Sequence, residues 1–258
     1  MQSTQHHFID LYQPIPVTQT ITLLPLHLDM ADEIFSLIDA SRDYLARWLP
    51  WVPFTKTSDD TREFITASRA LAAIGKAYRY AIAIHVSLDE GDGGIQPTAS
   101  SCIVGLTSIE FPTFEMDVTI ISPQTSPSLP ITSPEQPSLP LPPEQTAQPE
   151  AAQPSSPYHN TIGMIGYWLG QKHQGKGYMT IATQGLIHHW FTTPTLAPQA
   201  FKIQVEPDND QSHAVTQRLG FRPLHEQTYV SFGDTKYLVD VFIRTRDDYL
   251  KSALPSDK

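Results

Sequence analysis

One cysteine, Cys102, is all that the 258-residue chain carries. No disulfide can close within it, and a reducing compartment is the expected setting. Cys102 lies in the apolar run Ser101-Cys102-Ile103-Val104-Gly105-Leu106, where a thiol acts as a small packing group rather than a nucleophile. Long apolar runs are missing too: nothing approaches the ~18 consecutive residues of a membrane-spanning helix. The opening MQSTQHHFIDLY lacks the basic-then-apolar layout of a signal peptide. These absences together lead us to expect a cytoplasmic protein without membrane attachment. A metal site is not expected, because His188 and His189 are adjacent and do not form the i, i+4 pair that chelates from a helix.

Basic residues are absent from the middle of the chain. No Lys or Arg occurs between Arg79 and Lys172, while acidic residues continue through that span, so nearly all of the net charge of −10 is confined there. The remainder is close to neutral and has no general basic face, which excludes ordinary nucleic-acid binding. Composition also breaks in this region. About half of the 23 prolines fall between Pro112 and Tyr158, among Ser, Thr, Gln and Glu. Proline at that density prevents both helix and ladder, so 112–158 is expected to be a disordered insertion. Its Pro127-Ser128-Leu129-Pro130 spacing suits an SH3-type partner only weakly, since no basic residue accompanies it.

Outside the insertion the pattern is that of a mixed α/β domain. Thr20–Leu26 reads as a strand that Pro25 limits to an edge or an end. Asp29 is a candidate N-cap for a helix presenting Ala31, Ile34, Phe35 and Ile38 on one face. A short helix is expected from Asp43 to Trp48. Thr57-Ser58-Asp59-Asp60 starts a longer one, with Phe64, Ala67, Leu71 and Ile74 facing inward. Tyr78–Val86 and Ser101–Phe111 form an antiparallel pair, and Ala200–Glu206 is a further strand. Asp210–Leu219 is a helix closed by Gly220. Two last strands, Phe221–Ser231 and Lys236–Arg244, turn at Phe232-Gly233-Asp234.

The chemistry concentrates at Gly163–Phe191. A strand ends at Gly170, and a helix with Met179, Ala182, Leu186 and Trp190 on one face follows. Between them sits His173-Gln174-Gly175-Lys176-Gly177. Two glycines at a helix N-terminus bring backbone N–H groups together with no Cβ in the way, and the helix dipole adds to them. Such a turn favours an anion, most naturally a phosphate. Lys172 and Lys176 place positive charge beside it. By itself a G-x-G turn is equally a tight strand–helix connection.

The strand–HQGKG–helix unit resembles motif A of the GNAT N-acetyltransferases, and most closely the branch that acetylates ribosomal-protein N-termini. Glu206-Pro207-Asp208-Asn209-Asp210-Gln211-Ser212 with Arg218-Leu219-Gly220-Phe221 is similar to the family's N-x-x-S…G-F block. Trp48-Leu49-Pro50-Trp51 resembles the substrate-side helix pair of that branch. The resemblance implies a single GNAT-like domain of residues 20–111 and 159–246, a mixed, mostly antiparallel sheet flanked by helices. Residues 1–19 would be a loose leader and 247–258 a tail. It further implies acetyl-CoA as acyl donor, with Lys172, Gln174, Gly175, Lys176 and Gly177 around the pyrophosphate. The backbone of Trp168, Leu169 and Gly170 would meet the pantetheine arm, one N–H there polarising the thioester carbonyl. Asn209 would contact the same arm, and Ser212 would protonate the departing thiolate.

The expected acceptor is an amine, a peptide N-terminus or a small molecule, attacking directly in a ternary complex. An amine must lose its proton to attack, and here the pattern departs from the family. Two positions often acidic in relatives are Met164 and Ser231, leaving Glu110 as the nearest acidic substitute and Glu226 as a second. A non-catalytic acyl-CoA-binding module is therefore the alternative expectation, and a scaffold organised on the proline-rich loop is a weaker one.

Overall fold

The structure is a computed structural model and describes residues 11–86, 100–111, 161–194 and 196–253. The proline-rich insertion and the connection at 87–99 lie outside the described residues. Eight strands form one sheet in the order β1-β2-β3-β4-β5-β6-β8-β7. They are β1 (Ile15–Pro16), β2 (Ile21–Pro25), β3 (Ala77–Val86), β4 (Ser100–Glu110), β5 (Ile162–Leu169), β6 (Ala200–Val205), β7 (Arg222–Phe232) and β8 (Thr235–Thr245). Neighbours are antiparallel except β5 and β6, which are parallel. The helices are α1 (Ala31–Asp39), α2 (Arg42–Leu45), α3 (Ser58–Ala73), α4 (Tyr178–Thr192), α5 (Asp210–Arg218) and α6 (Arg246–Ala253). The expected mixed, mostly antiparallel sheet flanked by helices is what forms.

Strand alternation sorts the two faces. In β3 the large residues Tyr78, Tyr80, Ile82 and Ile84 join one core with Met179, Leu186 and Trp190 of α4 and with Phe201, Ile203 and Val205 of β6. On the other face Ala81 is small enough to let α1 and α3 approach, and Ile34, Ile38, Leu45 and Ile65 pack there with Leu106 and Trp168. Burying a side chain of the Ile or Leu class stabilises by roughly 1.5–3 kcal/mol, so these two layers hold the domain together.

Several local expectations need correction. Asp29 does not cap α1: it sits in a 3₁₀ turn, Leu28–Met30, its carboxylate 2.8 Å from His27 Nδ1, and Met30 takes the cap position without a side-chain bond. On α1, Leu37 is buried in place of the half-buried Phe35. The second helix is one turn, Arg42–Leu45, and does not reach Trp48. Thr57 and Asp60 do form a capping box, but α3 buries Thr61, Ile65, Ser68 and Ala72. Phe64 and Ile74 are exposed instead. Small polar residues won the inward face because Ser68 satisfies itself, its hydroxyl donating 2.7 Å to Phe64 O and accepting from Arg79 at 3.1 Å.

Both ends of the domain are firmer than expected. Within the leader, Tyr12 packs edge-on against Tyr78 and Tyr80, donates to Arg79 O and accepts from Leu26 N at 2.9 Å. The segment expected as a tail from 247 is helix α6. Its Tyr249 is buried against Phe191, with the hydroxyl 2.6 Å from His188 Nδ1. Gly220 closes α5 as expected, at φ +72, with Gly220 N donating to Gln217 O and Phe221 N to Thr216 O.

Where β4 meets β5 the backbones leave no room. A Cβ on Gly105 would lie 2.1 Å from Trp168 O and 2.9 Å from Leu169 Cα, both backbone atoms that cannot swing aside. Gly105→Ala is expected to cost about 3 kcal/mol, the upper end for overpacking. Urea unfolding measures it as a lower midpoint with an unchanged m value; an unchanged midpoint would show that β4 and β5 tolerate separation here.

Candidate active site

Gly175 and Gly177 adopt φ +70 and +79, values that side-chain-bearing residues rarely take. Nothing lies within 4 Å of where a Cβ on Gly175 would stand. Gly177 occupies the N-cap of α4 and has no side chain to cap with. The first α-helical bond of α4 is Ile181 N to Gly177 O at 3.1 Å, so the N–H groups of Tyr178, Met179 and Thr180 have no intrahelical acceptor. The loop is thus an open cradle of donors at the positive end of a helix. Among the described residues neither Lys172 nor Lys176 is in an ion pair; Lys176 Nζ lies 6.0 Å from the Tyr178 ring. Burial, then Lys172 and Lys176, hold His173 below the usual histidine range, so at neutral pH the lysines supply the charge.

The loop is pinned from the other face of the sheet. Gly170 packs so tightly on α1 that a Cβ would sit 2.3 Å from Leu37 Cδ1. Gln171 N donates to the buried hydroxyl of Ser41 at 3.0 Å. A small cleft of ≈ 220 Å³ opens beside this tie, lined by Ala40, Ser41, Gln171 and Lys172.

A gap leads away from the loop. β5 and β6 pair over three positions only, Ile162↔Ala200, Gly163↔Phe201 and Met164↔Lys202; beyond them the strands part. The strand's alternation fixes which backbone groups face the gap. Thr161 O accepts from Gln199 N at 2.9 Å on the β6 side, and Gly170 N donates to Val104 O at 2.9 Å on the β4 side. Odd-numbered residues of β5 therefore turn N–H and C=O toward the gap, and even-numbered ones toward β4. The pair Met164↔Lys202 engages Ile165 N, so Tyr167 and Leu169 present the unpaired strand edge; Trp168 and Gly170 do not. Of Trp168, Leu169 and Gly170, expected to meet a pantetheine arm, Leu169 alone faces the gap, and Tyr167 faces it too; strand parity counted from Gly170 marks both.

On one side of the gap Tyr167 and α5 meet. Tyr167 Oη lies 3.4 Å from Ser212 O, and Ser212 is half-buried in the first turn of α5. Asn209 caps that helix, its Oδ1 accepting from Ser212 N at 3.1 Å, which leaves the side-chain amide N–H groups for another partner. His213 points elsewhere: it packs edge-on against Phe242, and its Nε2 is 3.5 Å from Asp240, too poorly placed for a hydrogen bond. On the other side three contacts frame a mouth: Tyr44 Oη donates to Gln211 Oε1 at 2.7 Å, Trp51 meets Trp168 with centroids 6.1 Å apart, and Phe54 meets Phe232 at 5.8 Å.

A splayed parallel strand pair ending on a glycine cradle is a recognisable arrangement. Residues 147–222 match the model of the acetyltransferase (GNAT) domain. The segment that holds the cradle and α5 is similar to a GNAT domain. A 62-residue stretch is 44% identical to the ribosomal-protein-serine acetyltransferase of Escherichia coli (strain K12), spanning 24% of this chain and 34% of that protein. Two solved structures share the whole fold. The microcin C7 self-immunity acetyltransferase MccE, in complex with acetyl-CoA and AMP, has a TM-score of 0.59 at 21% identity, covering 89% of this chain and 94% of the other. RimL, a ribosomal-protein alpha-N-acetyltransferase in complex with coenzyme A, has a TM-score of 0.60 at 18% identity, with 91% and 99% covered.

Within this GNAT-like fold Lys172, Gln174, Gly175, Lys176 and Gly177 come together at one end of the gap, and Asn209, Ser212 and Tyr167 on its flank. Glu110 does not join them. It stands opposite Met164, where β5 and β6 are still paired, and its Oε1 is held by Arg79 at 2.7 and 3.1 Å. Met164 and Ser231 offer no carboxylate, and the Glu226 side chain lies outside the described ones. Among the described residues no His, Cys, Asp or Glu cluster is fit for a metal ion, and no helix is long and apolar enough to cross a membrane.

Burial pushes the Tyr167 phenol up to about 12, its hydrogen bond to Ser212 drawing it back in part. Below its ordinary value of 10.0 the phenol is protonated both folded and unfolded and adds no pH dependence. Above that value the unfolded chain releases the proton first, so the stability from this group is lost as pH rises toward about 12. Tyr167→Phe is expected to remove up to roughly 2 kcal/mol of that alkaline loss. Denaturant midpoints across this range measure it, and identical alkaline slopes in the two proteins would contradict the buried phenol.

Proposed function

We propose that the chain is an acetyl-CoA-dependent N-acetyltransferase that acetylates an amine by direct attack in a ternary complex. The observation that carries the reading is the gap between β5 and β6. Its unpaired edge at Tyr167 and Leu169 suits an amide-bearing arm laid alongside as an added strand. Its end opens on the glycine cradle with Lys172 and Lys176, which suits a pyrophosphate. The N–H of Tyr167 facing the gap is an oxyanion donor for the thioester carbonyl as charge develops there. Asn209 offers its amide to the arm, and Ser212 is the donor for the leaving thiolate, with Tyr167 beside it. The relatives named for acetylation of ribosomal proteins support a peptide N-terminus as acceptor. So does the mouth at Tyr44, Trp51 and Phe54, which is open and aromatic and takes an extended chain end more readily than a small polar amine.

Acetyl-CoA at 100 times its Kd should raise stability by ~2.7 kcal/mol. Gly177→Val should abolish that shift, since φ +79 is closed to a β-branched residue and the new side chain fills the phosphate space. A folded Gly177→Val protein that binds acetyl-CoA normally would end the cradle's assignment. Ser212→Ala should lower kcat by about 10²-fold, less where water substitutes, with acetyl-CoA affinity unchanged. Asn209→Ala should instead weaken acetyl-CoA binding and lose the helix cap, costing about 1 kcal/mol of stability. Turnover on N-terminal peptides and calorimetric affinity, measured together on both variants, separate the roles. Tight acetyl-CoA binding by the wild type with no amine acetylated would make the chain a binding module.

A further inference from the structure

We propose that Glu206 is the base that takes the proton from the acceptor amine. The inference deepens the acetyl-transfer reading and rests on it. Glu206 directly follows β6, and strand register locates it. Met164 pairs with Lys202 as the last contact before β5 and β6 part. Four residues further along each parallel strand brings Trp168 level with Glu206, across the open gap and roughly 13 Å beyond that pair.

The face follows from alternation. Phe201, Ile203 and Val205 join the α4 core, so Lys202 and Gln204, both half-buried, belong to the opposite face, the one Trp168 shares with α1 and α3. Glu206 continues that series, on the face where Trp168 meets Trp51 of the mouth. Its backbone is held by the turn in which Asn209 N donates to Glu206 O at 3.0 Å, and the residue is half-buried. Burial, and then Asp208, hold its carboxyl above the usual range, the direction that makes a carboxylate a stronger base.

The neighbouring candidates are otherwise engaged. Glu110 is bound by Arg79 at the closed end of the gap, and His213 faces Asp240 and Phe242. Placing the base at Glu206 assigns proton removal and proton delivery to two residues tied through Asn209, whose N donates to Glu206 O and whose Oδ1 accepts from Ser212 N. The ammonium on the acceptor face gives one proton to the Glu206 carboxylate. The neutral amine attacks the thioester carbon, the C–N bond forms and the C–S bond breaks. The thiolate takes its proton from Ser212. As the C–N bond forms the nitrogen sheds its second proton, which through water replaces the one Ser212 gave, and Glu206 passes the first to solvent, so the products are the amide, the thiol and one proton.

The test compares Glu206→Gln and Glu206→Asp with wild type on two acceptors, a peptide N-terminus and the same peptide ending in an aminooxy group, which is already neutral at pH 7. Glu206→Gln should lose about 10²-fold in kcat on the ordinary peptide, keep wild-type acetyl-CoA affinity and thermal midpoint, and lose several-fold less on the aminooxy acceptor. Glu206→Asp should recover part of the activity. Wild-type kcat in Glu206→Gln, or an equal loss on both acceptors, overturns the assignment while acetyl transfer by the wild type stands. A wild type that acetylates neither acceptor overturns it together with the reading beneath it.

Discussion

The parting of β5 from β6 after three paired residues is the constraint on which the rest of the site depends. Unsatisfied backbone groups are costly where water is excluded, so a strand edge left open inside a sheet persists only if its flanks are held rigidly. Here they are held from both sides. Antiparallel pairing fastens β5 to β4 along its length, from Glu110↔Met164 to Gly105↔Leu169. β6 is fastened to β8 over six positions. Neither strand can drift to close the gap without breaking a ladder on its other edge.

The same rigidity links the two functional ends. Ser41 ends the α1 region and begins α2, and its hydroxyl holds Gln171 at the start of the cradle. Leu37 of α1 fills the space against Gly170, while Tyr44 of α2 reaches Gln211 on α5. One short helical corner thus touches the anion loop, the mouth and the helix bearing Ser212. Displacing that corner would disturb all three, which makes α1 and α2 part of the site although they hold no group of the chemistry.

Much of this could be read from residues alone, and the failures have physical causes. Gly175 and Gly177 were legible because a strand–helix turn that needs positive φ calls for glycine, and Thr57 with Asp60 because a capping box is local. The inward face of α3 was misread because hydropathy favours Phe64 and Ile74, whereas the structure buries the smaller side chains of Thr61 and Ser68. Tyr12 and α6 were missed since their packing partners, Tyr80 and Phe191, are remote in sequence. Glu206 was invisible as a base for a similar reason: its position depends on the register of two strands that run level and then separate, and no spacing within one strand encodes that.

The two strands that bracket the proline-rich segment are antiparallel neighbours whose ends meet, Glu110 facing Met164, with Phe111 N on Lys76 O and Thr161 O on Gln199 N. That junction lies at the end of β5 opposite the glycine cradle. Chain length can therefore change there at a closed seam, as a cable can be spliced at its socket without rewiring the instrument. Labels, affinity handles or whole modules grafted at this seam would ride on the domain while leaving the opposite end of the sheet free to work.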